Sequence, residues 1–104
     1  MDELLRWLDV IPGRAWLLLG PDAAELASLV RAEYKPAGVT LAEDTAGFAD
    51  CTFDVAIATV PANPAELRRV LVPGGTAAAL EGSNFEEAGL RVVQSRGKAI
   101  RGTR

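Results

Sequence analysis

Histidine is absent from this sequence of 104 residues. Its absence excludes Ser-His-Asp and Cys-His catalytic systems, in which an imidazole activates the nucleophile. It also removes the commonest metal ligand, and zinc is rarely bound by carboxylates alone. We therefore expect no metal site. Any catalysis has to use Asp, Glu, Lys, Tyr or Cys side chains, or the positioning of a reactive cofactor.

Cysteine, long apolar runs and a strong charge imbalance are also missing. The one cysteine, Cys51, excludes an intramolecular disulfide, as is typical of a reducing compartment. No apolar run approaches the roughly 20 residues of a membrane span, and the first residues lack the pattern of a signal peptide. The net charge of −3 does not favour a nucleic-acid partner. The sequence therefore predicts a cytoplasmic protein without a membrane partner.

Short apolar runs alternate with helical patterns along the chain. The predicted strands are Ala15–Leu19, Val39–Ala42, Phe53–Thr59, Thr76–Leu80, Leu90–Gln94 and Ala99–Gly102. The predicted helices cover residues 2–10, the stretch from Asp22 to Glu33, the stretch from Pro64 to Pro73, and residues 83–89. This alternation indicates right-handed crossovers and a parallel sheet between helices, and the last two strands form an antiparallel hairpin. We expect one three-layer α/β domain over residues 1–104.

Capping signals mark two of the helix starts. Asp22, with a glutamate three places later, fits a capping box. Asn63 and Pro64 fit the cap and the first helical position of the next helix. Pro73-Gly74-Gly75 ends that helix, because proline cannot extend it and glycine permits a turn with positive φ.

Three segments resemble class I S-adenosylmethionine-dependent methyltransferases. Phe48–Asp54 is similar to the family's Phe-x-Asp-x-x-Phe-Asp, which enters its fourth strand. Arg69–Gly75 resembles the Arg-x-Leu-x-Pro-Gly-Gly that ends the next helix, and Glu87–Leu90 stands where a Glu-Ala-Gly helix end precedes the last hairpin. The resemblance implies a mostly parallel Rossmann-like sheet of methyltransferase type, with S-adenosylmethionine as cofactor.

The loop after the first strand departs from this family's pattern. The family typically has an acidic residue followed by x-Gly-x-Gly-x-Gly. Gly20 matches the first glycine, whereas Leu18 replaces the acid and Asp22 and Ala24 replace the later glycines. Bare backbone is needed where the cofactor approaches closely, and an aspartate that caps the helix also repels the cofactor's carboxylate. The sequence therefore predicts impaired cofactor binding.

The chain is also shorter than the family between Gly20 and Phe53, where the family fits two helices and two strands. One helix and one strand are predicted here, so a helix–strand unit is missing and one sheet edge is exposed. If Val39–Glu43 stands for the family's second strand, the resemblance assigns Glu43 to the ribose hydroxyls. If it stands for the third strand, Asp44 lies near the adenine. For both acids a solvated loop carboxylate is the alternative.

A doubly wound sheet binds ligands at the carboxyl ends of its strands. The cofactor-binding residues implied there are Gly20, Asp22, Glu43, Asp44 and Thr59. No catalytic residue is identified, because no general base stands out and Cys51 has no histidine partner. A nicotinamide cofactor is disfavoured, since its Gly-x-Gly-x-x-Gly sequence is absent. Trp7, Trp16 and Phe85 are interpreted as core or interface residues.

Two functions remain open. One is an S-adenosylmethionine-dependent methyltransferase-like domain that is impaired in cofactor binding and catalysis, as in a pseudoenzyme. The other is a non-catalytic interaction or regulatory module that self-associates, because soluble proteins cover an exposed sheet edge. The predicted first helix is apolar on more than one face and would cover the open side or join a dimer interface. We therefore expect a homodimer or another protein partner.

Overall fold

A six-stranded sheet runs through the protein in a computed structural model, which describes residues 15–34, 38–59, 62–79, 84–96 and 99–104. The strands are β1 (Ala15–Leu19), β2 (Gly38–Ala42), β3 (Phe53–Ala58), β4 (Leu71–Ala79), β5 (Arg91–Arg96) and β6 (Ala99–Thr103). The helices within these ranges are α1 (Ala23–Tyr34) and α2 (Pro64–Val70). The strand order across the sheet is β2-β1-β3-β4-β6-β5.

Parallel pairing joins β2, β1, β3 and β4, and antiparallel pairing adds β6 and then β5. α1 packs on one face of the sheet through Leu26 and Val30, and α2 packs on the other through Leu67 and Val70. Because helices cover both faces, the central strands β1 and β3 are almost entirely apolar. The predicted three-layer, mostly parallel sheet with a final antiparallel hairpin is confirmed.

Local signals placed several boundaries correctly. β1 has the predicted limits, and α2 begins at Pro64 after Asn63. The Asn63 side chain accepts a hydrogen bond from the Ala65 N–H at 3.0 Å, as its predicted cap role requires. The helix predicted over residues 2–10, which contains Trp7, lies outside the described residues.

The prediction of a helix over residues 83–89 is wrong for residues 84–89, the part that the structure describes. Residues 85–89 form a turn, in which the Leu90 N–H donates to the Phe85 carbonyl at 2.9 Å. Asn84 and Gly89 have φ angles of 60° and 91°. With a left-handed residue at each end, the segment between them is too short for a helix. Phe85 is nevertheless buried, as its core interpretation requires.

β4 begins at Leu71 and not at Thr76, where the strand was predicted to start. Leu71 pairs with Phe53, and Thr76 is the next β4 residue to pair with β3, so residues 72–75 interrupt the ladder. The helix before β4 ends at Val70, so the prediction that Pro73-Gly74-Gly75 ends this helix is wrong. Gly74 has a φ of 83°, so the predicted positive φ is present, but it lies within β4. The Gly74 N–H donates to the carbonyl of Arg104 at 3.1 Å, which attaches this part of β4 to the residue after β6.

The connection from β2 to β3 contains no described helix. Residues 43–52, called the crossover segment below, run from the carboxyl end of β2 to the amino end of β3 on the face that carries α2. Parallel strands are usually connected through a helix. The prediction of one helix and one strand between Gly20 and Phe53 is confirmed. As a result, β2 is the last strand at one side of the sheet.

Candidate functional site

The turn after β1 is fixed to both β2 and α1. Gly20 has a φ of 112°, in the region that favours glycine. The Gly20 N–H donates to the Ala42 carbonyl at the end of β2 at 3.1 Å, and the Gly20 carbonyl accepts from the Ala23 N–H at 3.2 Å. The backbone of this turn therefore has a defined path beside the end of β2.

The end of β3 is attached to the end of β1 by Thr59. Its N–H and its hydroxyl both donate to the Leu19 carbonyl, at 2.9 and 2.8 Å. The hydroxyl proton is used in this bond, so the Thr59 oxygen is left as an acceptor only. The carboxyl ends of β2, β1 and β3 are thus hydrogen-bonded into one edge.

A groove of about 260 Å³ opens between the turn after β1 and the end of β2. Its lining is mainly apolar and consists of Gly20, Pro21, Ala23, Ala24, Leu41, Ala42 and Glu43. Glu43 is the charged residue of the lining, and Leu41 is 45% exposed. Pockets for whole small ligands typically measure about 300–1,000 Å³, so this groove has room for part of a cofactor-sized molecule.

Among the predicted site residues, Gly20 and Glu43 line this groove, whereas Asp22, Asp44 and Thr59 do not. Asp44 is exposed, and its Oδ1 accepts the Ala46 N–H at 3.1 Å, which closes a local turn. The structure therefore brings together only part of the predicted set.

Asp22 is exposed and occupies the cap position of α1, because the helix begins at Ala23. Its carbonyl accepts the first helical hydrogen bond, from the Leu26 N–H at 3.1 Å. Within the described ranges, no hydrogen bond of the Asp22 carboxylate is found, so the predicted capping box with Glu25 is not formed there. The Asp22 charge is left facing solvent beside the start of α1.

The position of β2 in the sheet bears on the two acids that follow it. β2 pairs with β1 along its whole length, from Gly38 opposite Ala15 to Ala42 opposite Leu19. In the Rossmann strand order 3-2-1-4-5-6, the second strand is the one beside the first. β2 therefore has the place of the second strand, and Glu43 is the acid directly after it.

Sequence reasoning missed the part of the apolar lining that comes from Ala23, Leu41 and Ala42. These residues have the types expected of a core, and Val39–Ala42 was predicted only as a short strand. Leu41 is exposed because β2 lies at the sheet edge. The signal that could have found it is the missing helix–strand unit, because among the described strands none pairs with the outer side of β2.

The crossover segment is fastened to α2 by the Arg69 guanidinium. Nη1 donates to the Phe48 carbonyl at 2.7 Å and to Asp50 Oδ1 at 2.8 Å. Nη2 donates to the Thr45 carbonyl at 3.0 Å, and Nε donates to Glu66 Oε2 at 2.7 Å. We call these groups the Arg69 cluster.

Charge and hydrogen bonding reinforce each other in the Arg69 cluster. The hydrogen bond from Arg69 holds the pKa of Glu66 below its ordinary value of 4.5. Hydrogen bonds to Glu66 and then to Asp50 raise the pKa of Arg69. The Thr45 hydroxyl also donates to Glu66 Oε1, at 3.3 Å. Glu66 and Arg69 therefore stay ionised together at neutral pH.

Cys51 lies at the amino end of β3, at the opposite end of the strands from the groove. It is exposed in a turn with a φ of 54°, and Arg104 Nη1 lies 3.1 Å from its Sγ. The thiol is therefore not part of the groove.

The described part of the chain holds no group of three or more Cys, Asp or Glu residues arranged to bind a metal ion. Neither α1 nor α2 has the length and hydrophobicity that crossing a membrane would need.

Comparison with known proteins gives matches to structures only. No protein-family model matches the sequence. No curated protein sequence matches it either. A chain of the complex between the Haloferax volcanii Trm112 methyltransferase activator and a methyltransferase matches with a TM-score of 0.68 and 15% identity, over 89% of this chain and 68% of that one.

Two other solved structures match at similar levels. PigF with SAH has a TM-score of 0.65 and 13% identity, over 97% of this chain and 53% of PigF. A SAM-dependent methyltransferase from Aquifex aeolicus has a TM-score of 0.65 and 16% identity, over 98% of this chain and 86% of that one. The protein thus spans about half of PigF. At these identities the likeness concerns the architecture, and it confirms the resemblance at that level: the chain has the Rossmann-like fold of class I methyltransferases.

Proposed function

We propose that the protein is a methyltransferase-like domain that binds S-adenosylmethionine or its product S-adenosylhomocysteine weakly and does not transfer methyl groups by itself. The observation that carries this proposal is the open groove with Gly20 on one wall and Glu43 on the other. The groove lies at the carboxyl ends of adjacent parallel strands, where doubly wound sheets bind ligands. PigF, which has the same fold, was solved with SAH.

Glu43 is the residue that we expect to hold the ribose. It follows the strand beside β1, and a carboxylate can accept hydrogen bonds from both hydroxyls of a ribose. Asp44 is next in the chain, is exposed and is available for the adenine. Thr59 directly follows β3, the strand on the other side of β1, and offers an acceptor oxygen.

Two side chains at the start of α1 weaken binding under this proposal. Ala24 lines the groove, so its Cβ takes space that the family leaves to bare backbone. The exposed Asp22 carboxylate lies at the start of α1, where it opposes the negative carboxylate of the cofactor. Catalysis is weakened further because methyl transfer depends mainly on alignment, which a loosely held cofactor cannot supply.

Titration calorimetry with S-adenosylhomocysteine tests the proposal. We expect a Kd between about 0.1 and 1 mM, which is much weaker binding than a Kd in the low micromolar range. Replacing Asp22 and Ala24 together with glycine is expected to lower the Kd roughly tenfold, because a charge repulsion and a steric contact are removed. Glu43→Gln is expected to raise the Kd, because the neutral amide is a weaker acceptor for the ribose hydroxyls.

Glu25→Gln is the matched control, because Glu25 is an exposed acid of α1 outside the groove lining. It removes the same charge as Glu43→Gln and should leave the Kd unchanged. The proposal would be contradicted if neither the wild-type protein nor any variant bound S-adenosylhomocysteine at millimolar concentration. A low-micromolar Kd for the wild-type protein would instead contradict the impairment.

The sheet edge formed by β2 favours an interaction module as a second candidate. Gly38–Ala42 contains no charged residue, and Leu41 is 45% exposed. Charges, proline or bulges usually protect such edges against pairing with another chain. An edge without them suits a second copy of this chain, and the combined sheet would then continue through both copies.

Sedimentation equilibrium tests this second candidate. We expect the wild-type mass to rise toward a dimer with increasing concentration. Thr40→Lys is expected to return the mass to that of a monomer, because a lysine in an edge strand opposes pairing. Val93→Lys places the same charge at a residue that is 43% exposed in β5, at the other sheet edge, and should leave the mass unchanged. A wild-type monomer mass at all concentrations would rule out self-association.

A further inference from the structure

We propose that Arg69 is a positioning residue for the groove: it holds the crossover segment against α2 and thereby fixes Glu43 in the groove wall. Arg69 does not line the groove itself. The inference rests on the proposed function, because an effect on ligand affinity requires that the groove binds the cofactor. It adds a residue that the predicted binding set did not contain.

Glu43 and Asp44 lie between two anchored carbonyl groups. On one side, the Ala42 carbonyl accepts the Gly20 N–H at 3.1 Å. On the other side, the Thr45 carbonyl accepts Arg69 Nη2 at 3.0 Å. With both ends anchored, the intervening backbone has little freedom, and the Glu43 carboxylate is held beside the groove.

The anchor on the Arg69 side is a rigid one. Arg69 belongs to α2, whose Leu67 and Val70 are completely buried in the core. Glu66, one turn earlier in α2, accepts from Arg69 Nε at 2.7 Å and so orients the guanidinium. Because the guanidinium is planar, fixing its Nε also directs its other donors toward the crossover segment.

The half of the crossover segment next to Glu43 depends on the Arg69 side chain, because it has few hydrogen bonds of its own. The backbone bonds to α2 lie at the far end of the segment, where the Cys51 and Thr52 N–H groups donate to the Arg69 and Val70 carbonyls. The Thr45 carbonyl accepts the Phe48 N–H at 3.2 Å, and the Thr52 hydroxyl donates to the Ala49 carbonyl at 2.7 Å. A crossover helix would satisfy its backbone carbonyls internally. Here one arginine donates to both the Thr45 and the Phe48 carbonyls. Its loss would leave the Phe48 carbonyl without this donor and the Thr45 carbonyl with only the Phe48 N–H.

Hydrogen exchange and calorimetry on Arg69→Ala and Arg69→Lys test the inference. Without ligand, Arg69→Ala is expected to lose amide protection in residues 43–52 while β1 and β3 keep theirs. If the binding-competent arrangement falls to about a tenth, the Kd for S-adenosylhomocysteine rises about tenfold. For Arg69→Lys we expect protection and Kd between those of the wild-type protein and Arg69→Ala, because an ammonium group cannot reach all the acceptors of the Arg69 guanidinium together. Arg31→Ala, at an exposed position of α1, is the charge control.

A purely structural role is separated from positioning by the ligand itself. If Arg69 positions the site, saturating S-adenosylhomocysteine must restore protection of residues 43–52 in Arg69→Ala, because the coupling is reciprocal. An unchanged Kd in a variant with a loosened segment would overturn the inference, and so would unchanged exchange. If Arg69→Ala does not fold, Asp50→Asn removes one charged acceptor at an exposed position and is expected to show the same changes in weaker form. If the wild-type protein does not bind S-adenosylhomocysteine, both the proposed function and this inference are contradicted. If the wild-type protein binds it and Arg69→Ala binds with the same Kd, only this inference is contradicted.

Discussion

Trp16→Ala is expected to unfold a large fraction of the protein at room temperature. Trp16 is completely buried in β1, and it packs in the core cluster that contains Leu26 and Val30 of α1. Truncation of a buried tryptophan typically lowers the free energy of unfolding by about 3–5 kcal/mol. Domains of ordinary stability have about 5–15 kcal/mol in total, so little would remain if this small domain lies near the lower end of that range.

Urea unfolding followed by circular dichroism measures this loss. The midpoint should shift to much lower urea with a similar slope if both proteins unfold in one step. Val93→Ala is the control, because Val93 is 43% exposed in an edge strand and its truncation should change stability little. A loss below about 1 kcal/mol for Trp16→Ala would contradict the packing described for β1.

Gly75→Ala is expected to have the next largest effect. A Cβ at this position would lie 2.9 Å from the Val72 carbonyl oxygen and 3.0 Å from the Asp54 carbonyl oxygen. Both neighbours are backbone atoms, so the chain itself must move to relieve the overlap. We expect the free energy of unfolding to fall by about 3 kcal/mol, the upper part of the usual range for overpacking.

Two other glycines separate the possible causes of such a loss. Gly38→Ala places a Cβ where no atom lies within 4 Å, so its effect should stay within about 0.5 kcal/mol. Gly74→Ala also has open space but a φ of 83°, so backbone strain alone should cost about 1–2 kcal/mol. Thermal melts of the three variants give the comparison. Gly75→Ala as stable as Gly38→Ala would show that the close approach is relieved without cost.

Much of the fold could be predicted because its signals are local. The apolar run Ala15–Leu19 gave the limits of β1, and the Asn63-Pro64 pair gave the start of α2. The missing helix–strand unit followed from chain length between Gly20 and Phe53. Each of these depends on a few neighbouring residues, whose preferences the tertiary structure happened to support.

The failures occurred where distant parts of the chain decide the local conformation. The end of β4 nearest α2 is drawn into the sheet through pairing of Leu71 with Phe53, which no local pattern in Leu71–Gly75 indicates. Residues 84–89 carry a helix-like pattern, yet burial of Phe85 beside Gly102 holds them in a turn. A single-sequence pattern contains neither of these long-range contacts.

The candidate site was predicted only in part for a similar reason. Gly20 and Glu43 were found because a resemblance assigned them a role, and both line the groove. Apart from Glu66, the partners of Arg69 lie on the crossover segment, far from it in sequence, so its motif suggested only the end of a helix. Asp54, at the end of the other motif, accepts the Ala15 N–H at 2.9 Å and so joins the starts of β3 and β1.

The strand order also constrains how the protein is completed during synthesis. β6 lies between β4 and β5, although β5 is made before β6. As the chain leaves the ribosome, β5 therefore has no neighbour in the sheet until β6 has emerged and paired with the edge of β4. β5 therefore joins the sheet only after the residues up to Thr103 are available to pair with Thr76–Ala79 of β4.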